Sequence, residues 1–183
     1  VGMILTVLVS ILCGYSLAKL KVKSANIVFN VIIASMMISL STAAIMNYKI
    51  TMWLGLYNSY WAFIIPYIAS SSYVFLSRQF AQGIPVELME AARIDGASEL
   101  KTFFVIAVPI LRPAIATIGL YSFNALWGSQ GPSSMYIVDE AKKNLPYALA
   151  NAISGGLARQ GAQAAMSLIM LLPSLIALII TQS

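Results

Sequence analysis

The chain opens with VGMILTVLVSILCGYSLAKLKVK, residues 1–23: eighteen uncharged positions from Val1 to Ala18, then Lys19, Lys21 and Lys23. At ~1.5 Å of rise per residue, eighteen helical residues cover about 27 Å, close to the hydrocarbon thickness of a bilayer. A signal peptide carries its basic residues before the apolar run and a cleavage site after it; here the basic residues follow. The run reads as a membrane helix and the lysines as its cytoplasmic anchor. Because Val1 is no initiator and already lies within that helix, the reading expects at least one earlier span.

The remainder of the sequence agrees. Of 183 residues, 60% are apolar and 9% are charged, with a mean hydropathy of +0.84, whereas soluble domains carry roughly 25% charged residues. Further uncharged runs extend from Ser24 to Tyr48, Ile50 to Ser77, Pro113 to Val138 and Gln160 to Ser183. Tyr48, Trp53, Tyr57, Tyr60 and Trp61 cluster where aromatic rings would sit at headgroup level, although ordinary core packing is the alternative. Asn47, Lys49, Gly55 and Asn58 mark an interfacial turn there, which places the third helix near Tyr60 to Ser77. The expectation is an all-α, polytopic membrane domain over residues 1–183 with about five spans. Strict alternation puts residues 78–112 in the cytoplasm and the loop 128–159 outside, and seven basic residues then lie inside against four outside.

Composition also excludes much. There is no histidine and a single cysteine, Cys13, which reads as a small packing residue in an apolar span. An internal disulfide, imidazole acid/base chemistry and Cys/His zinc sites are ruled out. The net charge of +5 comes from scattered basic residues that form no nucleic-acid stripe. No G-x-x-x-x-G-K-[ST] sequence occurs, and Gly155 and Gly156 are followed by Leu157 and Ala158. No candidate nucleophile with a neighbouring base is read, since Glu87, Glu90, Asp95 and Glu99 lie beside helix-forming residues on what reads as a docking surface, so catalysis by this chain is not expected. The five proposed helices lack charged residues, which disfavours coupling to an ion gradient. Their neutral polar groups could line a path for an uncharged solute. Asn124 leads the candidates, with Ser122, Tyr121 and Ser71 behind it, while helix packing explains any single serine more readily.

Mixed charge is confined to residues 78–112 and a few loop positions. After Gly83, Ile84 and Pro85 the spacing predicts a helix from Val86 to Ile94, ended by Gly96 in the left-handed conformation. Ser98 can cap a second helix from Glu99 to Pro109. On the first helix Leu88, Ala91 and Ala92 form a narrow apolar face, and Glu90 and Arg93 are spaced to pair. A helix this short is marginal alone. It needs either a groove on a partner or the ends of the chain's own helices.

Glu90-Ala91-Ala92, three residues, Gly96, nine residues and then Ile106-Ala107-Val108-Pro109 resembles the EAA motif of ABC-importer permeases, with Val108 where the pattern has leucine. The stretch Ile84 to Ser98 is similar to carbohydrate-importer permeases, especially those like the smaller maltose-transporter permease. Leu54 to Tyr60, Val108-Pro109 with Arg112-Pro113-Ala114, and Asn144-Leu145-Pro146 also resemble that family. Two departures are the lack of proline between Ser39 and Met46, and Gly128-Ser129 after Trp127 where an Asn-Asp pair is common.

The resemblance implies a type I importer permease fold in a bacterial or archaeal cell (inner) membrane. It implies half of a translocation path for a sugar or oligosaccharide, a second permease subunit, two ATPase subunits that bind ATP and Mg, and an extracytoplasmic solute-binding protein. No cofactor is implied in this chain. Glu90, Ala91, Ala92, Arg93, Asp95 and Gly96 would couple to the ATPases, while Gly155, Gly156 and Leu157 would face the binding protein. A passive channel or a membrane scaffold fits the composition equally; the EAA spacing argues against both.

Overall fold

The computed structural model describes residues 1–20, 24–38, 40–129, 134–152 and 160–182. Their principal elements are α1 (Gly2–Lys19), α2 (Ala25–Ser35), α3 (Leu40–Trp53), α4 (Trp61–Ile68), α5 (Ser71–Gln82), α6 (Val86–Ile94), α7 (Glu99–Ile110), α8 (Arg112–Gly128), α9 (Leu145–Ala152) and α10 (Gln160–Gln182), with no strand among the described residues. Among those residues α1 and α10 are each long and apolar enough to cross a membrane. The pair α7 and α8, bent by 78°, makes a third if counted as one span.

The second and third expected spans are not single helices. Residues 24–48 yield α2 and the start of α3, and the break needs no proline. Ser35 Oγ donates back to Ile32 O at 2.6 Å, and Met36, Met37 and Ile38 bond to carbonyls three residues earlier, which tightens and ends the helix. Between Tyr60 and Ser77 the structure has α4, which contains Pro66, then a break at Ala69 and Ser70. The α5 helix starts at Ser71 and runs on to Gln82, so the expectation of charge-free helices is corrected: Arg78 lies inside α5 and is buried.

The chain divides into two compact units, each built from separate stretches of sequence. One comprises Val1, Met3–Ile38 and Ile68–Gly119. Its core gathers Ile11 and Tyr15 of α1, Ala81 of α5, Ile84, Met89 of α6, and Phe103, Ala107, Leu111, Ala114 and Ile118. Within α7, residues Phe103–Ala107 form a π turn closed by Val108 N donating to Phe103 O, and this wider turn lets Phe103, Ala107 and Leu111 share the buried face. Here α1 and α5 touch backbone to backbone. A Cβ on Gly14 would lie 2.7 Å from Arg78 N and closer still to the Ser77 side chain. Small residues permit such an approach where lipid offers no hydrophobic drive between helices.

The other unit comprises Gly2, Ser39–Tyr67 and Leu120–Ser183. Its turn before α4 uses Gly55 (φ +68°) and Asn58 (φ +58°). Asn58 binds a later segment in three ways: its N–H donates to Tyr136 O (2.8 Å), its Oδ1 accepts from Asp139 N (3.2 Å), and its carbonyl accepts from Lys142 Nζ (3.3 Å). Tyr48 stacks on Tyr136 nearby, with centroids 6.0 Å apart. In α10 Pro173 removes the donor for Ile169 O, and Trp127 Nε1 donates to the adjacent Met170 O at 3.0 Å.

The Gly14 contact predicts that Gly14→Ala lowers the stability of the detergent-solubilised protein by about 1–3 kcal/mol through overpacking. Gly128, with nothing within 4 Å of a built Cβ, should accept alanine without loss. Thermal unfolding of the two variants measures this; equal melting temperatures would refute the close approach.

Candidate coupling elbow

The elbow is built from the end of α5 through α6 to the start of α7. Lys19, in the last turn of α1, donates Nζ to Ile84 O at 2.6 Å and to Gln82 O at 3.3 Å, so it caps the end of α5 and holds the reversal that follows. Pro85, at φ −57° and ψ 135°, then precedes α6, whose bounds match the sequence reading. Glu87 in its first turn and Arg93 in its last complement the helix dipole.

The end of α6 is a Schellman turn: Ala97 N donates to Ala92 O (2.9 Å) and Gly96 N to Arg93 O (3.1 Å), with Gly96 at φ +74°. A Cβ at Gly96 would meet nothing within 4 Å, so its backbone angle and not lack of space calls for glycine. Ser98 Oγ accepts from Lys101 N at 3.3 Å and caps α7, as expected.

The helix faces differ from the expectation. Met89 and Ala92 are buried at 3% and 6% exposure, whereas Leu88, Glu90, Ala91, Arg93, Asp95 and Gly96 are exposed. Ala91 therefore lies on the open side and Ala92 against the chain's own core. Met89 Sδ accepts from Tyr15 OH (3.5 Å), and the Tyr15 ring lies 5.0 Å from that of Phe103, which joins α6, α1 and α7. The expected pairing of Glu90 with Arg93 is also replaced. Arg93 reaches across the glycine turn to Glu99, with Nε and Nη2 at 3.0 and 2.9 Å from Oε1, because the reversal brings the first turn of α7 beside the last turn of α6. Sequence spacing along a helix could not reveal a partner beyond the turn. Nor could it reveal the bonds of Lys19, which cross more than sixty positions.

The proposed path residues fall in different surroundings. Ser71 is half-buried with its hydroxyl 2.7 Å from Ser35 Oγ, the helix-packing alternative. On α8, Tyr121 and Asn124 share an exposed face at a spacing of three, while Ser122 is buried at 1%. Gly155, Gly156 and Leu157 lie outside the described residues. Before them, Asn144 caps α9 by accepting from Tyr147 N at 3.3 Å and donates to Ser129 O. Lys143 bonds to Glu140, which raises its ammonium above the ordinary lysine range, and lies 5.0 Å over the ring of Tyr147.

Against this geometry, a family model described as "Binding-protein-dependent transport system inner membrane component" matches residues 7–183. The arabinooligosaccharides transport system permease protein AraQ of Bacillus subtilis (strain 168) is 39% identical over 123 residues, 67% of this chain and 44% of AraQ. The melibiose/raffinose/stachyose import permease protein MelC of the same organism is 32% identical over 178 residues, 94% of this chain and 64% of MelC. This chain thus spans less than two thirds of either relative. The crystal structure of a bacterial ABC transporter involved in the import of the acidic polysaccharide alginate contains a chain that matches with a TM-score of 0.77 at 20% identity, covering 99% of this chain and 72% of that one.

Replacing Gly96 by alanine should cost about 1–2 kcal/mol, confined to the turn, because an L-residue is strained at positive φ. Hydrogen exchange at the Gly96 and Ala97 amides should accelerate about tenfold, with asparagine less disruptive. Unchanged exchange in Gly96→Ala would contradict the assigned turn.

Proposed function

Because the chain belongs to the family of binding-protein-dependent transport system inner membrane components and has the fold of a type I ABC importer permease, we propose that it forms half of the path by which an ATP-driven importer carries a sugar or oligosaccharide. The observation that carries this reading is the two-sided seating of α6. Met89 and Ala92 hold it to the chain's core, while Leu88, Glu90 and Ala91 remain open to a second protein. A helix of nine residues held along one edge is a handle that an outside subunit can pull.

In this mechanism two ATPase subunits bind the nucleotide and close on it. The elbow sits in a cleft of one of them, with Ala91 permitting close approach and Glu90 and Asp95 offering carboxylates at the rim. Closure displaces α6. Tyr15 and Lys19 pass the movement to α1, and Phe103 passes it to the π turn of α7, so the helices rock between inward-open and outward-open arrangements. Gly96 and the ion pair of Arg93 with Glu99 keep the elbow from unrolling under load.

The solute class is supported by two things. No charged residue follows Arg112 in α8, and none occurs in α10; Tyr121 and Asn124 there share an exposed face that suits hydroxyl groups. The relatives AraQ and MelC are named for the transport of oligosaccharides. A second permease would supply the facing half of the path, and an extracytoplasmic solute-binding protein would deliver the sugar to the side that carries α9, with Gly155, Gly156 and Leu157 as candidate contacts.

The test is Ala91→Trp in the assembled transporter. Transport should fall about tenfold or more, as expected for blocking a close-packed interface site, while the membrane protein still assembles and its thermal stability is kept. Ala92→Leu should instead lower the stability of the permease itself. Normal transport by Ala91→Trp would remove the coupling assignment.

A further inference from the structure

Among the described residues the buried charged side chain is Arg78, at 9% exposure. Its guanidinium lies over the Phe29 ring, 3.6 Å from the centroid, and Nη2 donates to Asn26 Oδ1 at 3.0 Å. Its Nε is buried without a hydrogen-bond partner. No carboxylate compensates the charge: the ion pairs of the described residues join Arg93 to Glu99, Lys142 to Asp139 and Lys143 to Glu140. A ring face and one neutral amide offset only part of the desolvation of a cation, so the site is electrostatically incomplete.

An apolar slot of about 420 Å³ lies between α1, α2 and α5, lined by Leu12, Leu17, Val28, Ile32 and Val74 among others. Val74 stands one helical turn before Arg78 on α5, Val28 adjoins Phe29 on α2, and Leu17 lies two residues before Lys19 on α1. The slot thus lies one helical turn of α5 away from the cation. Lys21 and Lys23 follow Lys19 in the sequence.

We propose that α1, α2 and α5 form a binding site for an anionic phospholipid of the cytoplasmic leaflet, with an acyl chain in the slot and the phosphate at Arg78. The chemistry is complementary at both ends, since aliphatic side chains take the tail and a guanidinium with a free buried Nε takes the headgroup. A peptide partner would need a carboxylate at Arg78 and polar groups along the same slot, whose lining is aliphatic apart from Cys13, Ser16 and Ser71, the last already bonded to Ser35. The inference shares with the proposed function only the cytoplasmic placement of the lysine loop, and it stands or falls independently of the ATPase contact.

The experiment uses the assembled transporter, extracted gently and examined by native mass spectrometry with analysis of retained lipid. Wild-type protein should retain phosphatidylglycerol in preference to phosphatidylethanolamine. Arg78→Gln should reduce that retention about fivefold, the effect of one charge near an anionic headgroup. Val28→Trp, which fills the slot and leaves Arg78 intact, should reduce it as well. Should Arg78→Gln fail to fold, wild-type and Val28→Trp proteins are compared in vesicles of phosphatidylcholine with and without phosphatidylglycerol, where only wild type should gain thermal stability. Equal retention of the zwitterionic lipid, retention unaffected by both variants, equal stabilisation by soluble glycerol phosphate, or a crosslink from position 78 to an acidic residue of the second permease would each overturn the proposal. Loss of lipid retention with ATPase coupling intact would support the site alone; unchanged retention with coupling intact would remove it and leave the elbow untouched.

Discussion

The grip of Lys19 on the carbonyls of Ile84 and Gln82 governs how the first unit can be used. A chain leaving a helix exposes carbonyls that need donors, and a reversal immediately afterwards exposes more. One ammonium at the end of α1 meets both needs. It thereby fixes the direction in which α6 departs and places Met89 under Tyr15. With the Tyr15–Met89 contact it ties the elbow to α1 at two points.

Packing in that unit follows the economics of helices in lipid. Apolar side chains gain little by meeting one another when the solvent is hydrocarbon, so close contact must come from small residues and from polar groups satisfied across helices. Gly14 against Ser77 supplies the first, and Ser35 with Ser71 supplies the second. The break after α2 and the start of α5 meet at that serine pair, which gives two interrupted backbone ladders a common support. Arg78 departs from the pattern, a cation sheltered by an aromatic face and an amide.

The second unit shows the same dependence on a single residue. Asn58 adopts a positive φ that most L-residues avoid, and with its backbone and its side chain amide it anchors the segment from Tyr136 to Lys142. Leu168, Leu172, Ile176 and Ile179 of α10 stay exposed. Such a surface is at rest only against lipid or another membrane helix.

The amino-acid sequence alone determined the helical class, the first and last membrane helices, the bounds of α6, the left-handed Gly96 and the cap at Ser98. Each of these is local: hydrophobic length, proline at a helix start, glycine at its end and a hydroxyl at the next start act within a few residues. The elbow's faces were decided elsewhere. Whether Ala91 or Ala92 turns inward depends on where Tyr15 and Phe103 stand, and Arg93 chose Glu99 over Glu90 because the chain doubles back at Gly96. The burial of Arg78 likewise rests on Phe29 and Asn26, partners distant in sequence. Local propensity cannot report a contact that exists only after remote helices have been brought side by side, and that is the physical reason the tertiary structure alone decided them.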